Sequence, residues 1–335
     1  MSDGTRIIDH GGGLQEACLN RGGLSLSLLN IGAATRDLRV THRGRQVPVV
    51  LGYRDPRAYL TNPYYLGVIA GRVANRIGGA RFMLDGQEQR LPANEGSNLL
   101  HGGDPGLSHR FWQMEPAGEA AVHLSYVSPH GENGFPGRVA FRIGVSLGEN
   151  AVIYSMRATA DRPSPVSLAQ HNYFNLAGGG DIWTHLLNSP AGRYLPLDGA
   201  GIPTGSVDDA AGTRYDFRQG RTLAEMDPQR EGTDINICFD AGPAPVLPAA
   251  SLQAPNGLRM AVYSDQPGAQ IYTAAGLEAH DGALPGQSLK PFAGICIEPQ
   301  GYPDAVNNPQ FPSVLVTPDQ PYRQDLRLEF SEAPE

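Results

Sequence analysis

The chain has 335 residues, 40% of them hydrophobic, a formal net charge of -8 and three cysteines. That much apolar residue can build a sizeable core, while the acidic balance and the lack of any basic run set aside nucleic acid as a partner. No apolar stretch approaches the ~18 residues of a membrane helix, and Cys18, Cys238 and Cys296 are too scattered, and odd in number, for a disulfide framework.

The opening "MSDGTRIIDH" lacks a charged-then-apolar leader. With the unpaired cysteines this gives the expectation of a cytoplasmic protein. The 42 glycines and 28 prolines make up about a fifth of the chain, against roughly 12% on average. With so much apolar residue the excess means tight turns and an all-β chain rather than disorder. All-β chains often outgrow the usual domain length as one unit, so residues 1–335 are read as a single domain.

Along the chain, "HGGG" at 10–13 has no G-x-S-x-G partner and is read as chance. "GVIAGRVANRIGGARF" (67–82) concentrates Arg72, Asn75 and Arg76 where few other charges occur. "SNLLHGG" then sets His101 before two glycines, which permit close backbone approach to a ligand. "AVHLSYVS" alternates Val122, Leu124 and Tyr126, "SPHGENGFPG" reads as a long hairpin loop, and "RVAFRIGVSL" puts Val139, Phe141, Ile143, Val145 and Leu147 on one face. With "AVIYSMRATA" these predict a meander over 120–160. His171 lies in the apolar "SLAQHNYFNLAGGG", whose triple glycine has no nucleotide-loop context. One short helix is expected, around "RTLAEMDP". "EGTDINICFD" carries Asp234, "AGPAPVLPAA" (241–250) reads as a surface loop, and "LRMAVYSD", "AQIYTAA" and "DLRLEF" read as strands. "AGICIEPQGYPDAVN" ends an apolar strand with Glu298, a costly placement unless the group is paired or functional.

His10, His42, His109, His123, His130, His185 and His280 fall in loops or at strand positions read as exposed. His101 and His171, taken alone, fit a hydrogen-bonded core histidine as well as a catalytic one. Neither shows short ligand spacing to another His, Cys or carboxylate, so no metal site is expected. Asp234 and Glu298 each admit a salt bridge, with Arg76 the candidate partner.

Taken together and in order, "GRVANRIGGARFMLDGQ", "LPANEGSNLLHGG", "SPHGENGFPG", "HNYFNLAG", "GIPTG" with "YDFR", "QPGAQIYT" and "CIEPQGYPDAVNNPQFPS" resemble the aldose 1-epimerases, the galactose mutarotase family. The resemblance spans nearly the whole chain. It implies a β-supersandwich of large, mostly antiparallel sheets with few short helices. It also implies interconversion of the α and β anomers of a free hexose such as galactose or glucose, with no cofactor, by a monomer or homodimer. By the same resemblance His171 is the general acid, Glu298 the general base and His101 a neighbour of the ring oxygen. Asn75, Arg76 and Asp234 hold sugar hydroxyls, and Gln270 stands near the base. Arg72 matches no such position and is assigned to structure.

The residue types suit the chemistry. Opening a hemiacetal needs a proton delivered to the ring oxygen and one removed from the anomeric hydroxyl, and a histidine and a carboxylate do this near neutral pH. Gln170, Ile235 and Pro299 depart from the family's usual Asn, His and Thr or Ser, which bears on sugar preference. A two-carboxylate glycosidase using Asp234 and Glu298 would leave both histidines idle. A non-catalytic sugar-binding protein on the same fold, or an epimerase of a sugar phosphate, are the other readings.

Overall fold

The computed structural model describes residues 4–239 and 248–333. Among them strands are the main regular element and the helices are short, and every strand pair within the sheets is antiparallel. The predicted meander is the start of a nine-stranded sheet. Ala121–Ser128, Val139–Leu147 and Ala151–Ala160 are consecutive neighbours in it. Period two is obeyed: Val139, Phe141, Ile143, Val145 and Leu147 are all buried, with less buried residues between them. The next neighbour is Tyr322–Glu332, from far downstream, followed by Leu258–Ser264. The expected "DLRLEF" strand is thus longer than its pattern suggested, and central.

A second sheet of six strands has Ile295–Gln300, Gly268–Tyr272 and Asp234–Cys238 side by side. Its register alternates the character of its two faces. Ile235, Ile271 and Ile297 align across the strands and point into the main core. One residue along, Asn236, Gln270 and Glu298 align on the other face. A one-residue slip would exchange these rows, so the burial of the isoleucines fixes where the polar groups stand.

An N-terminal meander of five strands, from Gly4–Asp9 to Arg45–Pro48, was not among the expected elements. Its "LSLSLL" strand (Leu24–Leu29) carries the alternation that could have shown it. The expected helix is one turn, Leu223–Met226. It is closed by a capping box in which the Glu225 N–H donates to Thr222 Oγ1 (3.2 Å) and the Thr222 N–H to Glu225 Oε2 (2.8 Å). Of the predicted surface loop, residues 241–247 lie outside the described residues, and Ala250 already begins a strand.

One histidine needs correction, and a second is more buried than its loop suggests. His42 ends the Thr35–His42 strand and is buried, with Nε2 against the Asn256 carbonyl at 3.0 Å. His185 lies in a loop but is fully buried, its Nε2 accepting the Leu176 N–H. Burial lowers the His185 pKa to about 4. Both are core histidines that complete backbone hydrogen bonds.

Candidate active site

The polar row of the six-stranded sheet is the floor of the site. Glu298 is 2% exposed and cross-strand from Gln270. Gln270 Nε2 donates to Asp234 Oδ1 at 2.5 Å, and Asp234 Oδ2 lies 3.3 Å from Arg76 Nη1. His171 comes from the turn between two short strands, Ala169–Gln170 and Tyr173–Phe174, and faces Glu298 with Nε2 3.8 Å from Oε2. The His101 ring packs edge-on to it, centroids 5.2 Å apart. Asn75 exchanges backbone contacts with His101: the Asn75 N–H donates to His101 Nδ1 (3.2 Å) and the His101 N–H to the Asn75 carbonyl (2.9 Å). All seven sequence-derived site residues are therefore linked in one constellation.

Local backbone explains part of the placement. Asn75 and His101 both adopt left-handed φ, at 59° and 51°. A Cβ on Gly102 would lie 2.0 Å from the Gly71 carbonyl oxygen, so this glycine lets two backbone segments meet. Asn133, in the "SPHGENGFPG" loop, clamps the same turn by donating to the Gly102 and Pro105 carbonyls.

Burial sets the protonation of the site. It pulls His171 down to about 4, against a smaller opposing pull from its own carbonyl. His101 is held well below 6.5 by burial, then by His171 and Arg76. Its Nδ1 accepts a backbone N–H, so the neutral ring carries its proton on Nε2, as a donor. Glu298 is pushed well above 4.5 by burial and then by Asp234. The Arg76 charge is opposed by burial, but Glu95 and Asp234 overcome this and hold its pKa above the usual value.

The salt-bridge reading separates the two carboxylates. Asp234 does pair with Arg76; Glu298 does not. Arg76's other partner is Glu95, gripped by Nε (2.6 Å) and Nη2 (2.8 Å). Sequence reasoning quoted "LPANEGSN" without giving Glu95 a role. It also missed Tyr65, whose ring lies 4.6 Å from that of His101 and 6.2 Å from that of His171; nothing in "NPYYLG" signals it. Cys296 was missed too, although it precedes Glu298 by one strand repeat and so shares its face. Its Sγ is 3.5 Å from His171 Nδ1. The sequence shows no short ligand spacing around either histidine, yet a thiol and a carboxylate both reach His171, because the donors come from a different strand.

The chain matches the family model for aldose 1-epimerase over residues 15–329. It is 37% identical to a galactose mutarotase of Rattus norvegicus over 331 residues, covering 96% of each chain. It is 33% identical to an aldose 1-epimerase of Escherichia coli, covering 88% of this chain and 87% of the other. Among solved structures, a GalM/aldose epimerase homologue from C. elegans superposes with a TM-score of 0.89 at 26% identity, over 99% of this chain and 100% of that one.

Proposed function

The chain belongs to the aldose 1-epimerase family and is an isomerase of hexose anomers; on that premise we propose that His171 and Glu298 exchange the protons, on a free hexose such as galactose or glucose. The observation that supports this pair is their facing geometry, Nε2 to Oε2 at 3.8 Å, with both groups buried. A gap of that size lets the two groups reach adjacent oxygens of one sugar.

His171 Nε2–H delivers its proton to the ring oxygen as the bond from that oxygen to the anomeric carbon breaks. Glu298 takes the proton of the anomeric hydroxyl, and the anomeric carbon becomes an aldehyde. After rotation, the ring hydroxyl adds to the opposite face and returns its proton to His171. Glu298 gives its proton to the new anomeric oxygen. Protons balance over the cycle, and the pair behaves as one unit that holds a single exchangeable proton.

In the open-chain stage the imidazole is neutral and the carboxyl protonated, the two forms that burial favours in each group. Burial therefore stabilises the intermediate relative to the charged pair. His101, a neutral donor through Nε2, suits the ring oxygen. Arg76, Asp234, Gln270 and Asn75 suit hydroxyls that do not react.

A phosphorylated hexose fits less well. Arg76 is already engaged by Glu95 and Asp234. A phosphate would have to displace a carboxylate to gain a cation. Polarimetry of freshly dissolved α-galactose, α-glucose and a hexose 6-phosphate tests the reading. Acceleration of the free sugars is expected. Acceleration confined to the phosphate, or a normal rate from His171→Ala, would remove it.

A further inference from the structure

Cys296 has no part in the proton exchange, yet it completes a donor set. It is fully buried on the Ile295–Gln300 strand, on the face that carries Glu298. The imidazole of His171 spans the two, with Nδ1 toward Sγ at 3.5 Å and Nε2 toward Glu298 Oε2 at 3.8 Å. One ligand atom from each of the three residues lies within 4.8 Å of the others.

We propose that His171, Cys296 and Glu298 form a site for a thiophilic divalent cation, zinc(II) or cadmium(II), whose binding blocks the epimerase. Bonds of about 2.0 Å to nitrogen and 2.3 Å to sulfur at a tetrahedral centre hold those two atoms roughly 3.5 Å apart. That is the observed separation of Nδ1 and Sγ. One nitrogen, one sulfur and one carboxylate oxygen are ligands zinc takes together, and three protein donors leave a fourth position open. A soft thiolate disfavours magnesium and calcium, which take oxygen ligands.

On binding, the ion forms bonds to Sγ, to Nδ1 of His171 and to an oxygen of Glu298, whose side chain turns toward it from the Nε2 side; the thiol proton and the single proton that His171 and Glu298 share both leave to solvent. No oxidant or reductant is involved. The sugar is excluded because the two groups that exchange its protons are then held by the ion. That consequence rests on the acid–base assignment above; the existence of the site does not.

The test uses the intact protein titrated with cadmium(II), followed by its ultraviolet thiolate absorption, and zinc(II) inhibition of galactose mutarotation by polarimetry. One equivalent of absorption should appear, be displaced by saturating galactose, and vanish in C296S and in C296A. Cys18 and Cys238 stay in both variants as internal controls. Zinc should inhibit competitively with sugar. Its inhibition constant should weaken at least about 100-fold in C296S, beyond the 10–100-fold typical of losing an outer partner. Sugar turnover of C296S without metal should stay within a few-fold of wild type. Absorption that survives C296S, or that galactose does not displace, overturns the site. Absorption lost in C296S while zinc leaves turnover untouched overturns the block. Metal-free E298Q then reports on the acid–base assignment alone.

Discussion

Arg72 and Arg76 come from one short segment and meet opposite fates. Arg72 is 2% exposed, and every partner it has is neutral. It donates to Ser128 Oγ and Ser164 Oγ and to the carbonyls of Ser128, Pro129, Pro136 and Gly137, at 2.7–3.3 Å. Burial lowers its pKa to about 10, with Glu132 opposing at longer range. Arg76 instead meets two carboxylates, and its side chain is 17% exposed. Arg72 is a strut that closes a loop on itself. Arg76 is held at an opening, with Asp234 beside it 39% exposed. The two arginines differ in what surrounds the charge, neutral acceptors in one case and two carboxylates in the other.

The site floor extends the contrast. The Arg72 guanidinium has its partners, whereas Gln270 Oε1 and both amide atoms of Asn236 and Gln300 are buried without partners. Unsatisfied groups cost about 1–3 kcal/mol each, and these three residues lie on the strands around Glu298.

The sharpest break of the comparison is Glu298→Gln. Turnover should fall by about 100-fold or more, the scale of a lost general base, with the fold intact. Stability gives the sign independently. The Glu298 pKa is raised in the folded state, so its contribution is fully present below the ordinary carboxylate pKa and is lost as pH rises above it. The variant should therefore melt at or above wild type at pH 8, with the gain shrinking toward pH 4.5. A large loss of melting temperature with near-normal turnover would refute the assignment.

Arg72→Ala should reverse the pattern. It strands several buried acceptors and loosens the loop that holds the His101 turn, at a cost on the order of 4 kcal/mol. Denaturant unfolding should register this, while the folded fraction keeps its KM. Arg76→Ala is next in size. Losing a charged hydrogen bond to a hydroxyl costs about 1.5–3 kcal/mol, so KM should rise about 10-fold or more, kcat should change little, and melting should move by only a few degrees. Equal effects of both arginine variants on stability would erase the distinction drawn here. Glu95→Gln is the mildest. Glu95 is half-exposed and acts through Arg76, so KM should rise no more than about 5-fold, with kcat unchanged.

Acid should also reveal the buried histidines. His171 and His185 both titrate near about 4 when folded, below the usual value near 6.5. The unfolded chain then binds more protons in between, and stability should fall as pH drops from about 6.5 toward 4. His185→Asn should flatten that fall without touching turnover, measured by melting against pH.

How much of this the sequence shows depends on range. Period-two runs such as Val139–Leu147 and the capping box at Thr222 and Glu225 are local signals, and the folded elements coincide with them. The seven site residues came from motif resemblance. No spacing rule joins Asn75, His171 and Glu298, because their meeting depends on sheet pairings between distant segments. Tyr65 was illegible for the same reason, because it meets His171 from far along the chain, and Glu95 because no local pattern joins it to Arg76. Cys296 was within reach of the alternation rule once Glu298 was singled out. His42 looks exposed in sequence because nothing local reports the Asn256 carbonyl it meets from elsewhere.

The Tyr322–Glu332 strand bears on synthesis as well as on shape. It is the shared neighbour of Ala151–Ala160 and Leu258–Ser264. During translation both of those strands are made long before it emerges, so each presents a bare hydrogen-bonding edge in the meantime. The largest sheet cannot close until this late piece slots between them, which makes folding slow and dependent on distant contacts. A nascent chain stalled before Tyr322 is thus the form of this protein most exposed to aggregation, and the one on which a chaperone would act.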